Sequence, residues 1–195
     1  MLAVALAASA TSLRNGFVYD AVPIVVEDAR IHDLARWRDV ARQRYWPAGF
    51  GDDQLYRPVT SLSLAVDWRL GHGRPLAFHV VNLALHLAVV ALVIALAGRF
   101  LPPAAALVAA LWFAVHPVHV EAVANVVGRS EMLAALGYLA AILAYDAGGG
   151  AGVRGARRFG LGAVVFLGTL WAVGSKEHGL TLPAALLLVD AARAR

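Results

Sequence analysis

Cysteine is absent from all 195 residues. The chain therefore has no disulfide, no thiolate metal ligand and no thiol nucleophile, which excludes disulfide scaffolds, zinc fingers and thiol enzymes. Charged residues are also scarce, at 15% of the sequence, whereas an average soluble domain has about 25%. Hydrophobic residues make up 60%, and the mean hydropathy is +0.66. These values argue against a soluble single domain.

Lysine is almost absent as well. Of the 17 basic residues only Lys176 is a lysine, the others are arginines, and the formal net charge is +4. So hydrophobic a chain argues against a nucleic-acid-binding surface as the reason for these basic residues. The positive charge instead favours arginines at membrane faces, and we expect no nucleic acid among the partners.

Long apolar stretches dominate the rest of the sequence. A helix needs about 20 residues to cross the roughly 30 Å hydrocarbon core of a bilayer, and residues 76–97 contain no charged side chain. Five other stretches, most of them shorter, are also apolar. The pattern predicts an all-α fold, a multispan transmembrane helical bundle with about six spans: residues 1–13, 76–97, 100–116, 132–145, 159–174 and 180–189.

These stretches divide the chain into three regions. Residues 1–17 hold the first span, whose start we expect to be clipped. The alternative is a cleaved secretory signal, although no basic residue precedes Arg14. Residues 18–75 form an outer loop, and residues 76–195 hold five further spans.

Patterns inside these regions predict smaller features. Apolar residues recur at steps of three among arginines over 31–44, which predicts an amphipathic helix lying on the membrane face. Residues 59–70 are apolar apart from Thr60, Ser61, Ser63, Asp67 and Arg69, which predicts a second interfacial helix. The glycine-rich stretch 148–155 predicts a flexible linker between two spans.

Arginines in the short loops indicate the orientation. They lie in the loops after the second, fourth and sixth spans, all on one side of the membrane, and the positive-inside rule makes that side cytoplasmic. The opposite, outer side receives loop 18–75, the loop around 116–131 and loop 175–179. The arginines concerned are Arg99, Arg154, Arg157, Arg158, Arg193 and Arg195.

Three polar side chains interrupt the second span. His79, Asn82 and His86 are spaced by three and four residues, which places them on one face of a helix. Polar groups at this depth face the interior of the bundle or an aqueous cavity. Hydrogen bonds between helices are the favoured interpretation, and direct ligand contact is the alternative. A transporter would use the same stripe as a midplane path.

Two histidines and a carboxylate stand where the third span reaches the outer face: His116, His119 and Glu121. These are ligand types that a metal accepts. Pro117, however, breaks the helix between the two histidines, and no fourth ligand is evident. A turn with hydrogen-bonded imidazoles is therefore the favoured prediction, and no metal is expected.

A polar edge is predicted if residues 121–132 form one helix. Glu121, Asn125 and Arg129 would then follow one another at steps of four, with Glu131 nearby. Either these side chains pair among themselves, or Arg129 faces an anion in a cavity.

Two further charged residues lie at the predicted outer face. Lys176, between the last two spans, needs a partner because an ammonium is costly near hydrocarbon. A bound phosphate would supply that partner, and a lysine that snorkels to the interface is the alternative. Asp20 follows the first span in an aromatic setting, an environment that can adapt a carboxylate to general-base work.

Four segments of the chain form a distinctive series. They are NGFVYD, then YRPVTSLSLAVDWRLGHGRPLAFHVVNLALH, then LWFAVHPVHVEAVANVVGRSEMLAALGYLAAILAY, then SKEHGLTLPAALLL. In this order they resemble the amino-terminal membrane half of the TMTC-type protein O-mannosyltransferases and their bacterial relatives. The resemblance covers residues 15–188, and its most specific parts are the HPVHVEAV…GRSEMLAAL block and the SKE block.

This resemblance implies a GT-C-like multispan enzyme that takes a sugar from a polyprenyl-phosphate carrier on the outer membrane face. Asp20 matches the acidic residue of the family's first outer loop, which is the expected base. The family usually has two adjacent acids there, and Ala21 stands in place of the second. The implied carrier or acceptor contacts are Glu121, Arg129, Lys176 and Glu177, with His116 and His119 from the same outer-face block.

The expected reaction is transfer to a protein hydroxyl with inversion. Asp20 would take the proton of the hydroxyl as that oxygen attacks the anomeric carbon. Lys176 and Arg129 would stabilise the phosphate that leaves. The donor is a lipid-linked sugar, no other cofactor is expected, and the partners are the bilayer and a protein acceptor.

The family also implies where the protein acts and which domains accompany it. We expect a multi-pass protein of the bacterial inner membrane with its active face in the periplasm. Relatives have further spans and a tetratricopeptide-repeat domain, so downstream spans and helical repeats are expected to be missing here. The alternative functions are a catalytically silent membrane anchor for such repeats and, third, a transporter.

Overall fold

The computed structural model describes residues 1–51, 54–149 and 152–194. Within these ranges the chain contains α-helices and short helical turns but no β-strand, which confirms the predicted all-α fold class. The helices are α1 (Leu2–Ser9), α2 (Trp37–Arg42), α3 (Pro58–Gly71), α4 (Pro75–Phe100), α5 (Pro103–Val115), α6 (His119–Ala124), α7 (Arg129–Gly148), α8 (Gly155–Ser175) and α9 (Leu182–Arg193).

All six predicted spans coincide with helices, but they differ in length. In the described part of the chain, three helical segments are long and apolar enough to cross a membrane: Pro75–Phe100, Val126–Gly148 and Gly155–Ser175. The apolar segments Leu2–Arg14 and Pro103–Val115 are shorter, and α9 has 12 residues. At 1.5 Å per residue the two shorter segments and α9 fall well short of the bilayer core, which is about 30 Å thick. Six full membrane crossings therefore remain a prediction.

Proline determines where several helices begin. Pro58, Pro75, Pro103 and Pro183 occupy first-turn positions of α3, α4, α5 and α9. Proline suits these positions because its fixed φ is helical and the first-turn N–H has no intrahelical acceptor.

The tightest packing between helices joins α7 and α8 through two glycines. A Cβ atom at Gly137 would lie 2.5 Å from the carbonyl oxygen of Gly168, and one at Gly168 would lie 2.7 Å from that of Gly137. Only glycine permits this backbone approach, which is typical of helix pairs in membranes. The Trp171 indole N–H donates to the Leu133 carbonyl at 3.0 Å and reinforces the contact.

The first outer segment folds onto the bundle. The predicted helix over 31–44 is only partly present, because the chain forms a short 3₁₀ turn, Leu34–Arg36, and then α2. The predicted helix over 59–70 is confirmed as α3. However, α3 packs against α2, α4 and α8 and buries Leu64 and Asp67, so it does not lie free on a membrane face.

The predicted glycine-rich linker over 148–155 falls partly on residues outside the described ranges. α7 ends at Gly148, and α8 begins at Gly155, which has a φ of +57°. Together α7 and α8 form an antiparallel pair, which places the start of α7 and the end of α8 at the same end of the bundle.

Candidate functional site

A cavity of about 720 Å³ opens at that end of the bundle. It lies between the turn after α1, the loop before α3, helix α6, the start of α7 and the residue after α8. Four predicted site residues line it: Asp20, Glu121, His119 and Lys176. They come from separate parts of the sequence, so the tertiary fold is what brings them together.

Asp20 reaches the cavity because of the turn on which it stands. Tyr19 adopts a left-handed conformation with φ of 51°, and Val22–Val26 form a π-helical turn directly after it. The turn buries Ala21, Ile24 and Val25 in a hydrophobic cluster and leaves Asp20 exposed. The apolar pattern of Ala21–Val26 therefore directs the neighbouring carboxylate outward.

Lys176 follows the end of α8 in extended conformation, with φ of −159°. Its ammonium pairs with the carboxylate of Glu131 in the first turn of α7. His178 lies on the other side of that carboxylate, with Nδ1 3.7 Å from Oε2. The lysine predicted to need a partner thus has one within the protein, and both members of the pair line the cavity.

The second cation of the cavity is Arg57, the residue before α3. Its Nε and Nη2 donate to the two carboxylate oxygens of Glu177 at 2.8 and 2.7 Å, a bidentate pair. Its guanidinium also lies over the ring of Tyr45, 4.9 Å from the centroid. Glu177, predicted as a carrier contact, therefore holds Arg57 and is not among the residues that line the cavity.

Burial and charge shift the titration of these groups. Burial raises the pKa of Tyr45 to about 12, so its hydroxyl stays protonated at neutral pH. Burial alone would lower the pKa of Arg57 and raise that of Glu177. The hydrogen bonds between the two outweigh it, raise the pKa of Arg57 and lower that of Glu177. Both members of the pair are charged at neutral pH.

Arg129 does not join the cavity residues. Its side chain is fully buried, with Nη2 2.5 Å from Asp67 Oδ2 and Nε donating to Asn82 Oδ1 at 3.0 Å. It also donates to the Phe78 carbonyl at 3.1 Å. The prediction of one helical edge through Glu121, Asn125 and Arg129 is wrong, because the chain leaves the helix between them.

The break occurs at Asn125. α6 ends at Ala124, Asn125 is extended with ψ of 128°, and a 3₁₀ turn precedes α7. The side chain of Asn125 caps that turn by accepting from the Val127 N–H at 3.3 Å, and it donates to Glu121 at 2.8 Å. The pair of Glu121 and Asn125 in the predicted polar edge therefore exists, whereas Arg129 points into the core toward Asp67.

Asn82 connects this break to the core. Its Nδ2 donates to the carbonyl oxygens of Asn125 at 3.0 Å and of Val126 at 3.3 Å. Its Oδ1 accepts from Arg129. Hydrogen bonding between helices is thus confirmed for Asn82, while His79 and His86 are buried beside it on α4.

His116 lies just before α6, and His119 is the first residue of that helix. His116 lines a smaller cavity of about 250 Å³ that it shares with His86, and His119 lines both cavities. The Val118 N–H donates to His116 Nδ1 at 3.2 Å, as expected for a turn with a hydrogen-bonded imidazole. Burial lowers the pKa of His119. Within the described ranges no three potential ligands are close enough to hold a metal ion.

Sequence reasoning missed Arg57 and gave Glu131 no role. Arg57 has the signal of a helix start, since Pro58 follows it, but nothing in its local pattern indicates a cavity. Glu131 belongs to a first turn, where carboxylates are common because of the helix dipole. Only the folded arrangement shows that each pairs with a residue of the SKEH segment.

The fold and the site define the class of protein: an all-α integral membrane protein with a charged cavity at one end of its spans. No family model matches the chain, and no solved structure matches it. Curated relatives, however, do.

These relatives are protein O-mannosyltransferases. Protein O-mannosyl-transferase TMTC1 of Mus musculus is 38% identical over 192 residues, which cover 92% of this chain and 20% of that protein. Protein O-mannosyl-transferase TMTC4 of Homo sapiens is 34% identical over 200 residues, covering 92% and 27%. Protein O-mannosyl-transferase TMTC3 of Mus musculus is 33% identical over 137 residues, covering 69% and 15%. The predicted resemblance to TMTC-type proteins is confirmed, and the chain spans between 15% and 27% of the length of these three relatives.

Proposed function

We propose that this chain is the site-bearing part of a membrane glycosyltransferase that moves a sugar from a polyprenyl-phosphate carrier to a protein hydroxyl. The observation that carries the proposal is one cavity of about 720 Å³ lined by the carboxylate of Asp20 and by the cations Arg57 and Lys176. The names of the relatives support the same class of reaction and suggest mannose as the sugar.

Asp20 is the proposed base. It is exposed at the cavity, so an acceptor hydroxyl can approach its carboxylate without displacing core residues. As the hydroxyl oxygen attacks the anomeric carbon, its proton passes to Asp20 and the bond from that carbon to the carrier phosphate breaks. A single displacement of this kind inverts the configuration at the anomeric carbon.

The leaving group is already an anion, so it needs cations more than it needs a proton. Arg57 and Lys176 are the cations in the cavity, and each has a carboxylate partner in Glu177 and Glu131. A bound phosphate would share these cations with the carboxylates. In this proposal Arg57 takes the place that the sequence assigned to Arg129.

Arg129 is then a positioning residue. It holds Asn82, which in turn holds the backbone at Asn125 and Val126. Asn125 lines the cavity, as do Val127 and Gly128 of the following turn. Arg129 therefore acts on the site through the junction of α6 and α7.

The proposed location is a bacterial inner membrane, with the cavity on the periplasmic side. Arginines cluster at the opposite end of the spans, in the last turn of α4, at the start of α8 and at the end of α9. By the positive-inside rule that end belongs in the cytoplasm, which leaves the cavity outside.

The proposal is tested with Asp20→Asn in membranes that contain the complete gene product and a polyprenyl-phosphate mannose. We expect transfer to an acceptor peptide to fall by at least about 100-fold, in line with the loss of a general base. Glu27→Gln is the matched control, since it removes a nearby exposed carboxylate that does not line the cavity. Unchanged transfer in Asp20→Asn, with the protein present at equal abundance, would contradict the role of Asp20.

The second candidate function is a catalytically silent membrane anchor. Two observations favour it: Ala21 is buried in the hydrophobic cluster and supplies no second carboxylate, and both cavity cations are already paired. An anchor would show no transfer with any polyprenyl-phosphate sugar, and Asp20→Asn would leave its abundance and its partners unchanged.

A further inference from the structure

The opposite end of the bundle carries a second polar cavity, of about 400 Å³, which plays no part in the proposed reaction. It lies where α7 ends, α8 begins and α9 ends. The charged and hydroxyl-bearing residues that line it are Arg158, Arg193, Asp190 and Tyr145.

Most of these polar groups already have partners. Arg193 donates from Nη2 to Asp146 Oδ1 at 2.9 Å, and Arg99 donates to Asp146 Oδ2 at 2.6 Å. The Tyr145 hydroxyl donates to Asp190 at 2.7 Å. Within the described part of the chain, both carboxylates of this end are thus engaged, and no hydrogen bond or ion pair holds Arg158.

The charge around the cavity is strongly positive. In the described residues this end of the bundle has two carboxylates, Asp146 and Asp190, and a larger group of cations, namely Arg99, Arg154, Arg157, Arg158 and Arg193. Arg154, Arg157 and Arg158 are all exposed. Because a surplus of guanidinium groups remains after the internal pairs are made, this end attracts anions.

Exposed apolar side chains lie close in sequence to residues that line the cavity. Phe159, next to Arg158, is 80% exposed, and Leu187 and Leu188 of α9 are about 70% exposed. The cavity lies at the ends of two helices long enough to span a membrane, which is the depth of the lipid headgroups. A ligand there would meet guanidinium groups on one side and hydrocarbon on the other.

We propose that this cavity binds the phosphate of an anionic phospholipid, with Arg158 as the main contact. The headgroup phosphate accepts from Arg158 and from the remaining N–H groups of Arg193, and the acyl chains lie along Phe159 and the exposed face of α9. A free phosphate would use the same guanidinium groups, but it would gain nothing from the apolar flanks. Basic pockets between transmembrane helices are known to suit anionic lipids.

The test uses the full chain, purified in a zwitterionic detergent, with phosphatidylglycerol and phosphatidylcholine as probes in native mass spectrometry. Wild-type protein is expected to retain phosphatidylglycerol in preference to phosphatidylcholine. Arg158→Gln is expected to weaken phosphatidylglycerol retention about fivefold. Arg157→Gln is the matched control, because it removes the same charge from the same helical turn at a residue that does not line the cavity, and it should retain the lipid.

Each other outcome overturns the proposal in a specific way. Equal losses in Arg157→Gln and Arg158→Gln would mean diffuse attraction by charge without a site. Equal retention of both lipids would mean that the net negative charge of the headgroup is not recognised. Displacement of phosphatidylglycerol by millimolar inorganic phosphate would identify a site for free anions.

Discussion

Each cation that lines the main cavity is held by a carboxylate from another part of the chain: Lys176 by Glu131 and Arg57 by Glu177. These pairs determine what an incoming anion meets. A phosphate must share or displace a carboxylate, so its affinity depends on the strength of the internal pair. The pair of Lys176 and Glu131 is partly exposed, at 26% and 44%, which makes it the weaker barrier because water screens it.

Removing the Glu131 charge should therefore strengthen anion binding. We expect Glu131→Gln to lower the Kd of the purified chain for a short isoprenyl phosphate by up to about fivefold, the range of a partly exposed ion pair. Lys176→Gln should raise the Kd. Isothermal titration calorimetry measures both, with Glu27→Gln as the control. If Glu131→Gln weakened binding, Glu131 would be a ligand contact and not a competitor.

The buried pair of Arg129 and Asp67 should matter for stability. Arg129→Met leaves the Asp67 carboxylate buried without its cation, which costs about 3–5 kcal/mol. The double variant Arg129→Met with Asp67→Leu removes both charges and should regain a large part of that loss. Thermal unfolding in detergent compares the two, and equal midpoints for the single and double variants would show that the pair is not coupled.

The pair of Arg57 and Glu177 predicts a pH dependence. The pKa of Glu177 is lower in the folded protein than its ordinary value, so the unfolded chain binds more protons and stability rises with pH. The contribution is fully present above the ordinary pKa of glutamate, which is about 4.3, and it is lost as the pH falls through the lowered value. Between pH 7 and about pH 3, a range that extends below the ordinary pKa of glutamate, the melting temperature of the wild type should fall further than that of Glu177→Gln. Parallel melting curves would refute the shift.

Helices α7 and α8 depend on the glycine contact between them. Neither Gly137 nor Gly168 can accept a Cβ without a clash with the backbone of the other helix. In contrast, Gly160 on α8 has open space where a Cβ would be. The same substitution at these positions should therefore have opposite effects.

Gly137→Ala is expected to lower the thermal midpoint, because a Cβ would lie 2.5 Å from the Gly168 oxygen and force the helices apart. Gly160→Ala should leave the midpoint unchanged or raise it, since alanine favours a helix over glycine by up to about 1 kcal/mol. Thermal unfolding of both variants in the same detergent measures the two midpoints. A gain in stability from Gly137→Ala would contradict the close approach.

For the helices, the sequence predicted which segments are helical, because long apolar runs that begin at prolines are compatible with few other structures. It did not predict where a helix breaks. Residues 121–132 have helical spacing throughout, yet the chain is extended at Asn125, whose side chain caps the next turn. Asn82 donates to the Asn125 carbonyl at this break. Because Asn82 lies 43 positions away in the sequence, the local pattern around Asn125 does not indicate this contact.

The two ends of the whole molecule differ in chemistry. One end has the cavity with Asp20, Arg57 and Lys176, and the other has the arginine-rich cavity around Arg158. Charge asymmetry of this kind predicts a single orientation in the membrane.

The absence of cysteine makes that orientation easy to test. Val118→Cys places a thiol at a residue that is 66% exposed near the main cavity, and Gly152→Cys places one in open space at the arginine-rich end. In intact bacterial spheroplasts a membrane-impermeant maleimide should label Val118→Cys and not Gly152→Cys, and lysis should expose both. The reverse pattern would place the cavity in the cytoplasm.

The sequence by itself determined the fold class, the helical segments and the resemblance to TMTC-type proteins, because hydrophobicity, proline and short motifs are local properties. It also indicated Asp20, Glu121, His119 and Lys176, which the fold brings to one cavity. Only the tertiary structure decided that Arg129 is buried with Asp67 and that Arg57 lies at the site. The physical reason is that a charge takes the partner that packing places beside it, and these partners lie 62 positions apart for Arg129 with Asp67 and 120 for Arg57 with Glu177.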